Sequence, residues 1–440
     1  MKKVIFLISI FIGFSLFAQN FDEQKMDSLF MLIESNQRGM GSISIFENGE
    51  ETYQNAFGFA SIEDNVEATK KTKYRIGSIS KTFTASIILK LIEEGKLSLT
   101  NKLSEFYPEI KNAQSITIEQ LLKHRSGIFN FTSAEDFQSW MEKPISKEDL
   151  VTKIVANGSV FEPGEKFEYS NSNYVLLSFI AEKIENKDFA QLIEERVCQP
   201  CALENTYYGS AISVKNNEAR SYTKSNDWKL ATESDMSIPQ GAGAIVSTPT
   251  DLNKFLNCLF GAHIVTEKTV KTMMEIEDGY GLGIFQVPFY DKKAFGHNGA
   301  IDGFQSNAYY FPNENVSIAF TTNGLGMAIN DIMIGALSIY FGKEYALPEF
   351  EETPTLHLKS EDLDQYLGVY SSPSFPLKVM ITKEENVLIG QATGQSSFPL
   401  EAYETDKFKF EQAGLKLEFL PEKKIMILRQ AGGEHELTKE

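Results

Sequence analysis

Cysteine is scarce in this 440-residue chain: Cys198, Cys201 and Cys258 are all it has. Three thiols cannot build the disulfide lattice of a small secreted scaffold. Cys198-Gln-Pro-Cys201 is a lone C-x-x-C, and a zinc site would need two further ligands at suitable spacing. Only five histidines are present, scattered along the chain, so neither a metal nor any other cofactor is expected. The cysteine pair reads as two buried thiols or, in an oxidising compartment, as a local Cys198–Cys201 disulfide. Basic residues are also few, 42 Lys+Arg against 60 Asp+Glu for a net charge of −18. That balance excludes a nucleic-acid partner, which needs a basic face. Long apolar runs are missing beyond the N-terminus. The stretch 332–341 is about ten residues and reads as a buried helix, not a span. What remains is a globular composition, 42% hydrophobic and 23% charged, with room for two or three domains.

The first residues, MKKVIFLISIFIGFSLFAQN, form a targeting segment. Lys2 and Lys3 make a charged start, Val4 to Phe17 an apolar run, and Ala18 ends a cleavage site. Residues 1–18 are therefore expected to be a signal peptide, with an uncleaved anchor as the alternative. No cysteine stands near the cleavage point, which closes the lipoprotein route. The expected product is exported, periplasmic or secreted, with no stable membrane span once the signal is gone.

Beyond it, Met26, Leu29, Phe30 and Ile33 recur at helical spacing. SISIFENGEETYQNAFGFA reads as two strands joined at Asn48-Gly49. Phe83, Ile87, Ile88, Leu91 and Ile92 mark a helix that Gly95 would end. Residues 100–270 mix short helical patterns with loops, such as 118–124 and 174–184. From about 278 the period becomes strand-like through YGLGIFQV, KKAFGHNG, FQSNAYYF and VSIAFTTN, before the apolar helix near 332–340. The predicted class is α+β: an antiparallel sheet assembled from both ends of the domain, flanked by helices, with a mainly helical insertion. Residues 343–360 read as a linker. Residues 361–440 alternate in short strands and predict a small all-β, barrel-like domain. The expected division is 1–18, 19–342, 343–360 and 361–440.

Chemistry concentrates at three places. Ser78-Ile-Ser-Lys81 sits at a helix start, where residues three apart share a face and exposed N–H groups favour an oxyanion. A serine becomes a nucleophile only when a base takes its proton. Taken alone, the pair reads as readily as an N-cap serine with a solvated lysine; Ser221 to Lys224 has the same spacing without helical context. Tyr169-Ser-Asn171 lies on a loop before a helix, and alternation points both side chains the same way. Tyrosine with a lowered pKa can act as a base, and the Asn171 amide can hold a substrate carbonyl and bond the lysine. The plainer reading is a half-buried loop aromatic. His297-Asn-Gly299 ends a strand pattern. A glycine there lets another backbone approach, and the Ala300 N–H could then join that of Ser78 as an oxyanion donor. A strand histidine is otherwise an ordinary structural residue.

The order Ser-x-x-Lys, Tyr-x-Asn, His-x-Gly resembles the signature of the serine β-lactamase and penicillin-binding-protein superfamily, in its class C type branch. The flanks NAFGFAS, ITIEQLLKHRSGI, FEPGEKFEYSNSNYVLL, GAGAIVSTPTDLNKF and FGHNGAIDGF agree, over residues 35–340. The tail from DQYLGVYSS resembles the lipocalin-like β-domain often appended to these hydrolases. The resemblance implies Ser78 as the acylated nucleophile, Lys81 as its proton partner and Tyr169 as the general base. It implies Asn171, His297 and Gly299 at the substrate, with the N–H groups of Ser78 and Ala300 as oxyanion hole. The strand triad begins with histidine where lysine is usual, so its cation depends on pH. The expected substrate is a small ester or amide or a short peptide, cell-wall peptide among them, which makes the chain an esterase or D-amino-acid peptidase. A β-lactamase or D-alanyl-D-alanine carboxypeptidase is the alternative, and a non-catalytic binding protein that keeps the fold the second.

Overall fold

A computed structural model describes residues 21–440 apart from 226, 351–355, 357, 373–374, 394–396, 411–412 and 431–432. The expected signal peptide lies outside the described residues, as does part of the expected linker. No helix among the described residues is long and apolar enough to cross a membrane.

Helix α1 (Glu23–Ser35) starts where Asp22 accepts the Lys25 N–H at 2.9 Å, and it buries Met26, Leu29, Phe30 and Ile33. This is the stripe that its spacing predicts. Strands β1 (Gly39–Glu47) and β2 (Glu50–Phe57) follow, joined at Asn48-Gly49, whose φ values of 54° and 84° are those of a tight hairpin turn. A short strand β3 (Tyr74–Arg75) leads into the single 3₁₀ turn Gly77–Ile79 and helix α2 (Ser80–Glu93). The insertion contributes α3 (Ile118–Leu122) and α4 (Asn171–Glu185) among other helices. Strands β4 (Phe285–Phe289), β5 (Lys292–Ile301), β6 (Phe304–Phe311) and β7 (Val316–Leu325) then precede α5 (Ile329–Tyr340).

The six long strands form one antiparallel sheet in the order β4-β5-β6-β7-β1-β2. The N-terminal hairpin thus completes a sheet begun by the C-terminal strands, as the sequence predicts. One face packs on α1 and α5 through Ile43, Ile45, Ile318, Phe320, Ile332 and Ala336. The other meets the helical body, where Phe83 of α2 stacks on Phe255 with ring centres 3.7 Å apart. Sandwiching the sheet in this way removes both faces from water, which is the main stabilising term.

The last eight strands, from Gly368–Ser372 to Gly433–Lys439, form a closed antiparallel barrel with a core of its own. Pairing its first strand with its last leaves no edge exposed.

The cysteines depart from expectation. Cys201 is bonded to Cys258, 57 residues away, with Cα atoms 5.6 Å apart, and Cys198 is a free buried thiol. The Cys198–Cys201 pairing is therefore wrong. Cys198 turns inward, where its sulfur approaches the Thr206 carbonyl and burial pushes its thiol up to about 12. Cys201 lies past the helical end and meets the helix Pro249–Phe260 that carries Cys258.

Candidate active site

Ser78 sits in the turn between β3 and α2, one residue earlier than a helical N-terminus would place it. Gly77, at φ +50°, makes that turn, a conformation that suits glycine. Its neighbour strand presses close. A methyl group on Gly77 would lie 2.7 Å from the Ala300 nitrogen, and one on Gly299 would lie 2.0 Å from the Ile76 carbonyl oxygen and 3.0 Å from the Ser78 nitrogen. Two glycines facing each other therefore let β5 lie against the nucleophile turn backbone to backbone. Ile301 and Phe304 flank a two-residue turn, and such a flanking pair is hydrogen-bonded. Residues 297, 299 and 301 thus bond to β6, while Ala300 directs its N–H to the opposite edge, beside Ser78.

At the second position of α2, one turn on from Ser78, Lys81 is completely buried, and its Nζ lies 2.9 Å from Ser78 Oγ. Asn171 Oδ1 accepts from it at 2.7 Å and the Ala242 carbonyl at 2.8 Å. Burial drives the lysine pKa well below its ordinary value. Once it has lost its proton, the amine would keep two N–H groups for these two obligate acceptors and turn its lone pair towards the Ser78 hydroxyl. Asn171 is itself held from both ends, since its Nδ2 donates to Thr132 Oγ1 at 3.1 Å and its backbone N–H to Asn130 Oδ1 at 3.0 Å.

Tyr169, two residues before α4, is hydrogen-bonded to Ser78, and its ring centre lies 4.9 Å from Lys81 Nζ. Burial raises its pKa, the Ser78 bond only partly offsetting it. The lowered tyrosine pKa expected from the sequence is thus not present in the free site, where burial moves Tyr169 the other way.

His297 lies beside these residues without facing the cavity. It is 2% exposed, and its Nε2 is 3.1 Å from the Tyr280 hydroxyl while Nδ1 faces the Asn298 carbonyl. Burial first, and Lys81 second, lower its pKa to about 3. The conditional cation expected from the sequence is absent at any neutral pH. Strand alternation explains the inward turn: Asn298 and Ala300 take the exposed positions, His297 and Gly299 the buried ones.

The sequence reading assigned no role to His124, Tyr280, Arg75 or Asp302. His124 is fully buried at φ +54°, and its ring lies 4.3 Å from that of Tyr169. Its Nδ1 accepts the Ser170 N–H at 3.2 Å and pairs with Asn173 Nδ2 at 3.2 Å, so the proton belongs on Nε2. Desolvation, then Lys81, lower its pKa. His124 was visible only as one residue of the flank KHRSGI; no periodicity singled it out.

Ser78, Asn171 and Ala300 open on a cavity of about 550 Å³. Phe131, Phe137, Met141, Leu230 and Ile238 supply its apolar wall, and Asp302 is the only ionisable side chain among its described lining residues.

A helix-flanked antiparallel sheet with serine, lysine and tyrosine converging at the edge of one strand is the arrangement of a serine hydrolase, in which neighbouring groups activate the hydroxyl. The comparisons agree. The chain matches the family described as Beta-lactamase over residues 19–333, and it belongs to that family. It is 27% identical over 299 residues to Protein flp of Staphylococcus aureus (strain MW2), a match covering 64% of this chain and 59% of that one. The chain thus spans less than two thirds of that relative. Teichoic acid D-alanine hydrolase of Staphylococcus aureus (strain MRSA252) is 23% identical over 291 residues, covering 64% and 70%. Among solved structures, the D-amino acid amidase from Ochrobactrum anthropi SV3 complexed with L-phenylalanine amide superposes with a TM-score of 0.66 at 23% identity, covering 72% of this chain and 98% of that one. The family makes this chain a serine hydrolase, with a closed eight-stranded barrel added at its C-terminus.

Proposed function

We propose that the chain is an exported esterase or amidase that works through a Ser78 acyl-enzyme on small D-amino-acyl esters or amides. The observation that carries this reading is the buried Lys81, whose Nζ lies 2.9 Å from Ser78 Oγ while it donates to Asn171 Oδ1 and the Ala242 carbonyl. In the first half-reaction Ser78 Oγ bonds to the substrate carbonyl carbon and its proton passes to Lys81 Nζ. The carbonyl oxygen becomes an oxyanion that accepts from the Ser78 and Ala300 N–H groups. Lys81 returns the proton through the Tyr169 hydroxyl to the leaving oxygen or nitrogen as the carbon–leaving-group bond breaks. Water then repeats the sequence on the acyl-enzyme, Tyr169 and Lys81 taking its proton and restoring Ser78. Asn171 holds Lys81 in place, with one amide hydrogen left for the substrate.

The D-amino-acyl preference rests on the relatives, a teichoic acid D-alanine hydrolase and a D-amino acid amidase, and on the apolar cavity wall. Export is supported by the Cys201–Cys258 disulfide, which persists in oxidising compartments. Residues 19–342 carry the hydrolase in this reading, 343–360 a linker and 361–440 the barrel. The test is hydrolysis of a short p-nitrophenyl acyl ester and of D-alanine and D-phenylalanine amides by the purified protein, beside Ser78→Ala. Turnover lost in the variant supports the reading. Equal turnover in both would remove Ser78 from the chemistry, and inertness of both would remove the esterase and amidase assignment.

A further inference from the structure

Two residues that bracket the oxyanion donors are tied together across the site. Arg75 stands three residues before Ser78, on β3, and is 2% exposed. Its Nη1 donates to Asp302 Oδ2 at 3.0 Å and to the Ser234 carbonyl at 2.8 Å. Its Nη2 donates to the Ser210 carbonyl at 3.0 Å and to Glu233 Oε1 at 2.8 Å. Asp302 stands two residues after Ala300, at the tip of the β5–β6 hairpin, with its side chain wholly buried. Its other oxygen accepts the Ser234 hydroxyl at 2.6 Å and the Ser234 N–H at 3.1 Å. Asp302 also adopts φ +54°, which a non-glycine residue holds only at a cost.

The hairpin therefore meets the nucleophile turn at two fastened points. One is Ser306 Oγ donating to the Ile76 carbonyl at 2.8 Å; the other is the Arg75–Asp302 pair. Between them lie the bare contacts at Gly77 and Gly299, which limit how closely the backbones approach but not how they slide or rotate. One point leaves a hinge, and two points set an orientation. A buried ion pair is a poor source of net stability, so its value here lies in geometry. Oxyanion donors act over a narrow range of distance, and a misplacement of about 1 Å costs about 10²-fold in rate.

We infer that Arg75 and Asp302 are positioning residues for the oxyanion hole, holding the Ala300 N–H against the Ser78 N–H at the angle the tetrahedral intermediate requires. This rests on the acyl-enzyme reading above.

Asp302→Asn tests it, because asparagine keeps an acceptor for Ser234 but turns an N–H towards the guanidinium. The expected result on a neutral p-nitrophenyl ester is a kcat lower by about tenfold to hundredfold, with KM changed less than about threefold. Phenylboronic acid, whose boron bonds to Ser78 Oγ and places an oxygen in the hole, should lose affinity by the same factor as kcat. A structural staple would not make these two move together. Glu233→Gln, at the hand of Arg75 that does not reach the hairpin, should leave both within about twofold. Unchanged kcat and boronate affinity in folded Asp302→Asn would overturn the inference, as would a raised KM at constant kcat. If that variant does not fold, Arg75→Lys decides: boronate affinity falling in step with kcat supports the inference, and kcat falling alone refutes it. Failure of the underlying reading shows separately, as turnover that survives Ser78→Ala.

Discussion

Lys81→Met tests the protonation state on which the mechanism depends. Methionine has nearly the same length, so it fills the space while removing the titrating group. The wild-type site holds Lys81 below its ordinary pKa through burial, whereas the unfolded chain holds it near 10.4. Between those two values the unfolded chain binds one proton more than the folded chain. Stability therefore rises with pH across that window, by about 1.4 kcal/mol per unit for one proton, and levels off above the unfolded value. The variant lacks this contribution. Wherever pH 7 to pH 9 lies above the folded value, the wild type should gain stability relative to Lys81→Met, at no more than about 1.4 kcal/mol per unit. The offset at any one pH is less informative, because the variant also leaves Asn171 Oδ1 and the Ala242 carbonyl without their donor, at about 1–3 kcal/mol each. Urea unfolding followed by tryptophan fluorescence measures the slope. Both tryptophans, Trp140 and Trp228, lie outside the C-terminal barrel, so the signal reports the body that holds the site. A stability difference that stays flat between pH 7 and 9 would refute a neutral Lys81. Turnover should fall in the same variant by about 10²–10⁴-fold, the usual contribution of a positioned base.

Other outcomes follow from the same geometry. With His297 held at about 3 by burial, kcat/KM should show no ionisation near 6.5 assignable to it. His297→Asn should leave the pH profile in place, and a profile that loses a limb in that variant would contradict the buried neutral ring. Gly299→Ala places a methyl 2.0 Å from the Ile76 oxygen and must push β5 from the nucleophile turn. The expected loss of kcat is about 10²–10³-fold, the value of one oxyanion donor, and near-normal kcat would remove the backbone contact from the mechanism. Closing a loop of 57 residues, the Cys201–Cys258 bond should stabilise by about 4 kcal/mol through unfolded-state entropy. Denatured, unreduced protein should titrate one thiol, Cys198, and peptide mapping should find Cys201 joined to Cys258.

Much of this protein was legible in its sequence because the signals are local. Periodicity at 26, 29, 30 and 33 predicted α1, Asn48-Gly49 the first hairpin, and the alternating segments after 361 a barrel that the structure shows to be closed. Ser78, Lys81, Tyr169 and Asn171 were named from motif order, and the fold brings them to one point. Ala300 was named from its place after Gly299, and its backbone lies against Gly77 of the nucleophile turn.

Residue order by itself determined which groups are available: a serine and a lysine one turn apart, two glycines able to face each other, and a histidine where a fixed cation would otherwise stand. Tertiary structure alone decided their ionisation and partners. Burial, a property of the whole sandwich, lowers the pKa of Lys81 and of His297 and raises that of Tyr169. Strand alternation within a six-stranded sheet turns His297 away from the cavity. Cys201 passes over a cysteine three residues away for one 57 residues distant, because the Cys258 helix packs against it and Cys198 faces the core. The Arg75–Asp302 pair spans 227 residues. Neither of its halves bears a local pattern, because pairing at that distance is created only when the hairpin closes over the nucleophile turn.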